Sequence, residues 1–195
     1  MNEMITAIVE NDASASKRLL LADAGLAKLI IRRPKLYKLG ILHWIYVGDT
    51  LLHLAAAGYR VEIVRLLLAS GADPNAAGNR RKSSPLHYAA DGFITGPAWG
   101  ENRQVETIRC LLDHGAQLQL QDQNGATPLH RAVRTRCAAA VRCLLKAGAD
   151  PTTRNKPGDR HGSELPVVPG RQRAGGSDEQ QPGVEQRERS RRGDL

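Results

Sequence analysis

The chain has 195 residues and a formal net charge of +8, with 4% aromatic residues and a single Phe. No apolar run approaches the ~20 residues that a membrane span needs, and the polar, acidic start from Asn2 to Asp12 lacks the form of a secretory signal. Residues 1–155 carry 20 Lys and Arg against 13 Asp and Glu, while residues 156–195 carry 8 against 7, so the positive excess lies on the first part.

Residues 3–31 place Ile5, Ile8 and Val9, then Leu19, Leu20 and Leu21, then Leu26, Leu29 and Ile30 in apolar groups at helical spacing. They predict two helices broken near Asn11 and Asp12, which cap the second. Residues 32–49 read as a long connection. Arg32, Arg33 and Lys35 make it basic at first, and His43, Trp44, Ile45, Tyr46 and Val47 make it apolar and aromatic later. Trp44 is expected to pack beneath the helices that follow. A connection this long is often functional.

A word then recurs three times. Thr50-Leu51-Leu52-His53-Leu54-Ala55-Ala56 is the first copy, Ser84-Pro85-Leu86-His87-Tyr88-Ala89-Ala90 the second, and Thr127-Pro128-Leu129-His130-Arg131-Ala132 the third. Each copy opens a segment that closes on Gly71-Ala72, Gly115-Ala116 or Gly148-Ala149. His53 to Gly71 and His130 to Gly148 are both 18 residues, and His87 to Gly115 is 28, so the middle unit carries 10 extra. With that shift Val61–Leu68 lies over Val105–Leu112 and over 138–145. Thr50, Ser84 and Thr127 stand where a helix N-cap belongs, and Pro85 and Pro128 follow where a helix needs no amide donor. The paired alanines allow a second helix close by. Gly58 and Gly92 are expected to end the first helices in left-handed turns, and Gly71, Gly115 and Gly148 the second ones.

In this word and this period the chain resembles the ankyrin repeat family, whose unit is a turn and two antiparallel helices of about 33 residues. The resemblance implies an all-α solenoid. Residues 3–47 would be degenerate capping helices and a long loop, with repeats over 48–80, 81–123 and 124–155 and a disordered tail over 156–195. No single unit buries its apolar face alone, so stability comes from stacking. The family's His bonds to backbone and ties neighbouring turns together, which is the role expected of His53, His87 and His130. One per repeat, they would sit roughly 10 Å apart by ordinary helix spacing, too far to share an ion at ligand distances of about 2 Å.

The resemblance also implies protein–protein recognition through hairpin tips and first-helix surfaces. The candidate contacts are Tyr46, Arg80, Arg81, Ser83, Phe93, Trp99, Gln123, Asn124, Arg134 and Arg136. Arg80, Arg81 and Lys82 put three cations on one tip, where an acidic partner fits. Lys82 stands where the family has Gly, so a turn of different shape is expected there. Arg136 and Cys137 replace the family's Gly-His after the third copy's first helix. The insertion, roughly Gly92 to Glu101, holds Phe93 and Trp99, which are either interface anchors or fold back onto Tyr88 and the Trp44 loop.

No phosphate-cradling Gly-rich loop and no Gly-x-Ser-x-Gly elbow occurs, and the acids do not assemble with a nucleophile and base. No catalytic residue, metal, cofactor or small-molecule substrate is expected. Cys110, Cys137 and Cys143 form no C-x-x-C pair and read as small hydrophobes in a reducing compartment, hence a cytoplasmic protein. After Asn155-Lys156-Pro157-Gly158 a fourth copy of the word is due and does not come. The expectation is a monomer whose last helix, near Val141 to Leu145, frays or associates. Two rival readings remain: the targeting part of an effector or enzyme system, and weak nucleic-acid binding through the basic surface.

Overall fold

The computed structural model describes residues 2–33, 35–37, 41, 43–92 and 99–156. Eight α-helices are present among them: α1 (Asn2–Glu10), α2 (Ala13–Ala22), α3 (Leu51–Ala57), α4 (Val61–Ala69), α5 (Pro85–Ala90), α6 (Glu101–Asp113), α7 (Pro128–Arg134) and α8 (Ala138–Lys146). A 3-10 turn covers Ala24–Lys28, and two short strands, β1 (Lys35–Tyr37) and β2 (His43–Ile45), pair antiparallel.

The helices form two layers. α3 packs on α5 and α5 on α7, while α4 packs on α6 and α6 on α8; within units α3 meets α4, α5 meets α6 and α7 meets α8. α1 and α2 continue the layers at the other end, against α3 and α4 respectively. The core runs the length of the stack through Met4, Ile8, Leu52, Leu67, Leu86, Ile108, Leu111 and Leu129. The alanines expected to allow close approach do so, since Ala55, Ala56, Ala89, Ala90 and Ala132 are all fully buried.

The break between α1 and α2 is as expected: Asp12 caps α2, its Oδ1 accepting from the Ala15 amide at 2.8 Å. Gly71, Gly115 and Gly148 take φ of +87°, +87° and +97° just past their helices, the conformation a glycine adopts without a Cβ clash. Gly58 does not turn left-handed. It ends α3 at φ −90°, and Tyr59 beside it takes φ +52°. Tyr59 is held there because its hydroxyl donates to the Asp91 carbonyl of the next unit. Arg136 closes α7 in the same way at φ +58°. Lys82 corrects the expectation of an altered turn. It adopts φ +51°, the same hand as Gly125 at +78° in the equivalent place.

Trp44 does not pack beneath the first repeat; it is 51% exposed. Successive strand residues face opposite sides, so β2 buries Ile45 completely and turns Trp44 outward. His43 faces inward with Ile45 and stacks on Tyr88 at 4.8 Å between ring centres.

Candidate functional site

Each copy of the repeated word makes one rung. The amides of Thr50, Ser84 and Thr127 donate to Nδ1 of His53, His87 and His130 at 3.0, 3.1 and 3.2 Å. With Nδ1 accepting, the imidazole proton sits on Nε2. His53 Nε2 then donates to the Ser83 carbonyl and His87 Nε2 to the Ala126 carbonyl, both at 2.9 Å. The first two rings thus join their helix starts to the following turn. Burial pushes the pKa of all three below the usual histidine value, that of His87 to about 4.

The turns are also laced by backbone. The Ile31 amide donates to the Asp49 carbonyl at 2.6 Å, Gln123 to Arg81 at 2.8 Å and Lys156 to Asn124 at 2.9 Å. The tip at 81 is therefore tied to that at 123, and the tip at 124 to the turn at 156, by bonds that do not depend on surface side chains.

Behind the row runs a buried polar seam. Arg131 is 2% exposed and donates to Asp91 at 2.7 Å, to Asp122 at 2.6 Å and to Ser83 Oγ at 3.1 Å. Burial alone would lower the Arg131 pKa, but the charges of Asp91 and Asp122 raise it above the ordinary value. Burial alone would raise the Asp122 pKa, but the bonds from Arg131 and from the Asn124 and Ala126 amides bring it down. Arg134 adds a second cation to Asp91 at 2.9 Å. At the other end of the seam Asp49 accepts from the Tyr46 amide at 2.7 Å and from the Tyr88 hydroxyl at 2.8 Å. Burial and the Asp49 charge push the Tyr88 pKa well up.

The candidate contacts divide. Arg80, Gln123, Asn124 and Arg136 are exposed, and Arg81 is half-buried with its guanidinium 5.5 Å from the centre of the half-buried Tyr46 ring. Trp99 is half-buried and its indole N–H donates to Gln104 Oε1 at 3.3 Å. Phe93 lies outside the described residues. Ser83 is a correction: it is fully buried, bonded to Arg131, His53 and Asn79, and presents nothing to a partner. Arg134 is already committed to Asp91.

Sequence reasoning missed Trp44 and Val47 as surface residues, each 51% exposed, and missed Arg131 as the centre of the seam. The alternation of His43, Trp44 and Ile45 was the available signal for the first. Among the described residues no group of three His, Cys, Asp or Glu is placed to hold a metal ion.

A family model described as Ankyrin repeat matches residues 47–79, and one described as Ankyrin repeats (3 copies) matches residues 100–155. Human transient receptor potential cation channel subfamily A member 1 is 35% identical over 110 residues, 56% of this chain and 9% of that protein. Human B-cell lymphoma 3 protein is 36% identical over 106 residues, 52% of this chain and 21% of that protein. Human ankyrin repeat and SOCS box protein 6 is 32% identical over 116 residues, 56% of this chain and 25% of that protein. The chain thus spans a quarter or less of the length of these relatives.

Proposed function

We propose that this chain, which belongs to the ankyrin repeat family, binds a partner protein along its row of turn tips and performs no chemistry of its own. Ankyrin repeats generally mediate protein–protein interaction. The units are taken as 48–80, 81–123 and 124–155. The observation that carries the reading is the backbone lacing of 31 to 49, 81 to 123 and 124 to 156, which holds the tips before any partner arrives. A preorganised surface loses little entropy on binding.

The contacts follow from exposure. Arg80, Arg81, Gln123, Asn124 and Arg136 form the polar part, and Tyr46 and Trp99 the aromatic part, with Trp44 and Val47 added beside Tyr46. Among the described residues, no salt bridge involves Arg80, Arg81 or Lys82, whereas the nearby carboxylates Asp91 and Asp122 are buried and paired. An acidic partner segment therefore fits this tip. The three free cysteines suit a reducing compartment such as the cytoplasm, and no helix among the described residues is long and apolar enough to cross a membrane.

The test captures a partner from the native cell by cross-linking and measures its affinity for variants. Alanine at Arg80, Arg81 and Trp99 together lowers affinity at least tenfold, about 1.4 kcal/mol. Unchanged affinity removes the tip reading. A partner that proves to be RNA or DNA, with affinity falling steeply in salt, replaces it with the nucleic-acid one.

A further inference from the structure

The second helix of every unit carries an arginine at the same place: Arg65 in α4, Arg109 in α6 and Arg142 in α8. In α4 the residue three before it is Glu62, whose carboxylate pairs with Arg65 at 2.6 Å. In α6 the equivalent residue is again an acid, Glu106, but in α8 it is Ala139. A second exchange goes with the first. Asp113, the last residue of α6, has Lys146 as its counterpart at the end of α8. No carboxylate is left on α8, and its two cations are four residues apart, hence on one side of the helix.

These exchanges leave a groove of about 220 Å³ between α6 and α8. The exposed cations Arg109, Arg142 and Lys146 line it together with half-buried Val105, Ala139 and Cys143, and no carboxylate does. Among the described residues Arg109 and Lys146 form no salt bridge, and Arg142 meets Glu101 at 3.3 Å. The side chains of that pair are 70% and 56% exposed, and an ion pair so placed is weak and readily exchanged. Beyond the groove the same layer of helices exposes Glu62, Glu101, Glu106 and Asp113. A nucleic-acid backbone or an anionic membrane laid along this layer meets those acids. A single compact anion seated in the groove does not.

We propose that this groove binds one phosphoryl group borne on a side chain of a partner protein, a phosphoserine or phosphothreonine with an apolar neighbour. Three cations converging on one small space match the charge of close to −2 on a phosphomonoester, where a carboxylate brings half as much. The two guanidiniums supply paired N–H donors to its oxygens, and Lys146 adds a point charge. Val105, Ala139 and Cys143 offer apolar surface to the neighbouring residue. The groove shares no residue with the row of tips, so it stands or falls separately from that surface.

The probe is a fluorescein-labelled peptide with one phosphoserine between two leucines, titrated into the full chain and followed by anisotropy. The phosphorylated peptide binds at least roughly tenfold more tightly than the same peptide carrying serine or glutamate. Arg109→Ala weakens it about tenfold. Ala139→Glu, which restores the acid found in the other two units, does the same, and Glu101→Gln, which frees Arg142, tightens it. All three positions are on the surface of helices, and unchanged thermal melts separate lost binding from lost folding. Arg80→Ala with Arg81→Ala leaves the affinity as it was. Equal binding of the glutamate peptide overturns the proposal and makes the groove a site for acidic segments in general. Affinity indifferent to Ala139→Glu, or lost with Arg80 and Arg81, overturns it in favour of the tip. Phosphatidylserine vesicles bound in a manner that Arg109→Ala weakens overturn it in favour of a membrane surface.

Discussion

Two sets of cations on this protein have opposite fates. Arg131 is sunk between Asp91 and Asp122, with side-chain exposures of 3%, 11% and 3%. Arg80 and Lys82 stand exposed on a tip, with Arg81 over the Tyr46 ring. The buried set joins Arg131 to Asp91 and Ser83, 40 and 48 residues earlier, and to Asp122, 9 residues earlier, so it fastens the second unit to the third. Among the described residues the tip set forms no salt bridge, which leaves its charge to meet an outside one. Position relative to the seam, rather than residue type, separates fastener from contact.

The largest expected effect breaks the fastener. Arg131→Ala leaves buried Asp122 without its cation and Asp91 with Arg134 alone, and costs about 3–5 kcal/mol, read as a lower midpoint in urea. The triple variant Arg131→Met, Asp91→Asn and Asp122→Asn recovers most of that loss. An unchanged midpoint for Arg131→Ala would show that the seam fastens nothing.

Acid acts next, through the rungs. His87 is held neutral by burial, with its pKa lowered from 6.5 to about 4. The unfolded chain therefore binds more protons between those values. The contribution of the neutral ring is complete above pH 6.5 and is lost as pH falls toward 4, at up to about 1.4 kcal/mol per unit for each such ring. His53 and His130 shift in the same direction. Urea midpoints measured from pH 7 to pH 4 check this, and a flat profile would contradict it.

Two smaller effects sharpen the contrast on the tip itself. Lys82→Gly relieves a side chain held at φ +51° and stabilises by up to about 1 kcal/mol. Arg80→Ala changes stability by less than about 0.5 kcal/mol while weakening partner capture. Thermal melts of both variants beside a binding measurement distinguish the two roles.

The rungs were legible because each of them lies in one short word: N-cap, proline, leucine, histidine. The left-handed turns at Gly71, Gly115 and Gly148 were legible from the closing Gly-Ala, whereas those expected at Gly58 and Gly92 do not form. The seam was not. Ser83 and Arg131 are 48 residues apart, and nothing local marks a serine on a turn as the acceptor of a buried arginine. Trp44 was misplaced because its stretch was read as loop. Treated as a strand, the alternation of His43, Trp44 and Ile45 assigns the tryptophan outward. Tyr59 and Arg136 show the other limit. Local rules favour glycine in their conformation, but the Tyr59 hydroxyl is anchored to Asp91 of the following unit.

The chain leaves α5 at Ala90, with Asp91 as its C-cap, and re-enters at Gly100, the N-cap of α6, while both helices keep their places in the two layers. The stretch between is outside the periodic frame. Loop closure costs a connection of this kind roughly 0.6 kcal/mol per doubling of its length. This port is accordingly where foreign peptides could be spliced for display, and where drift in lineage or laboratory can rewrite specificity without retuning the scaffold.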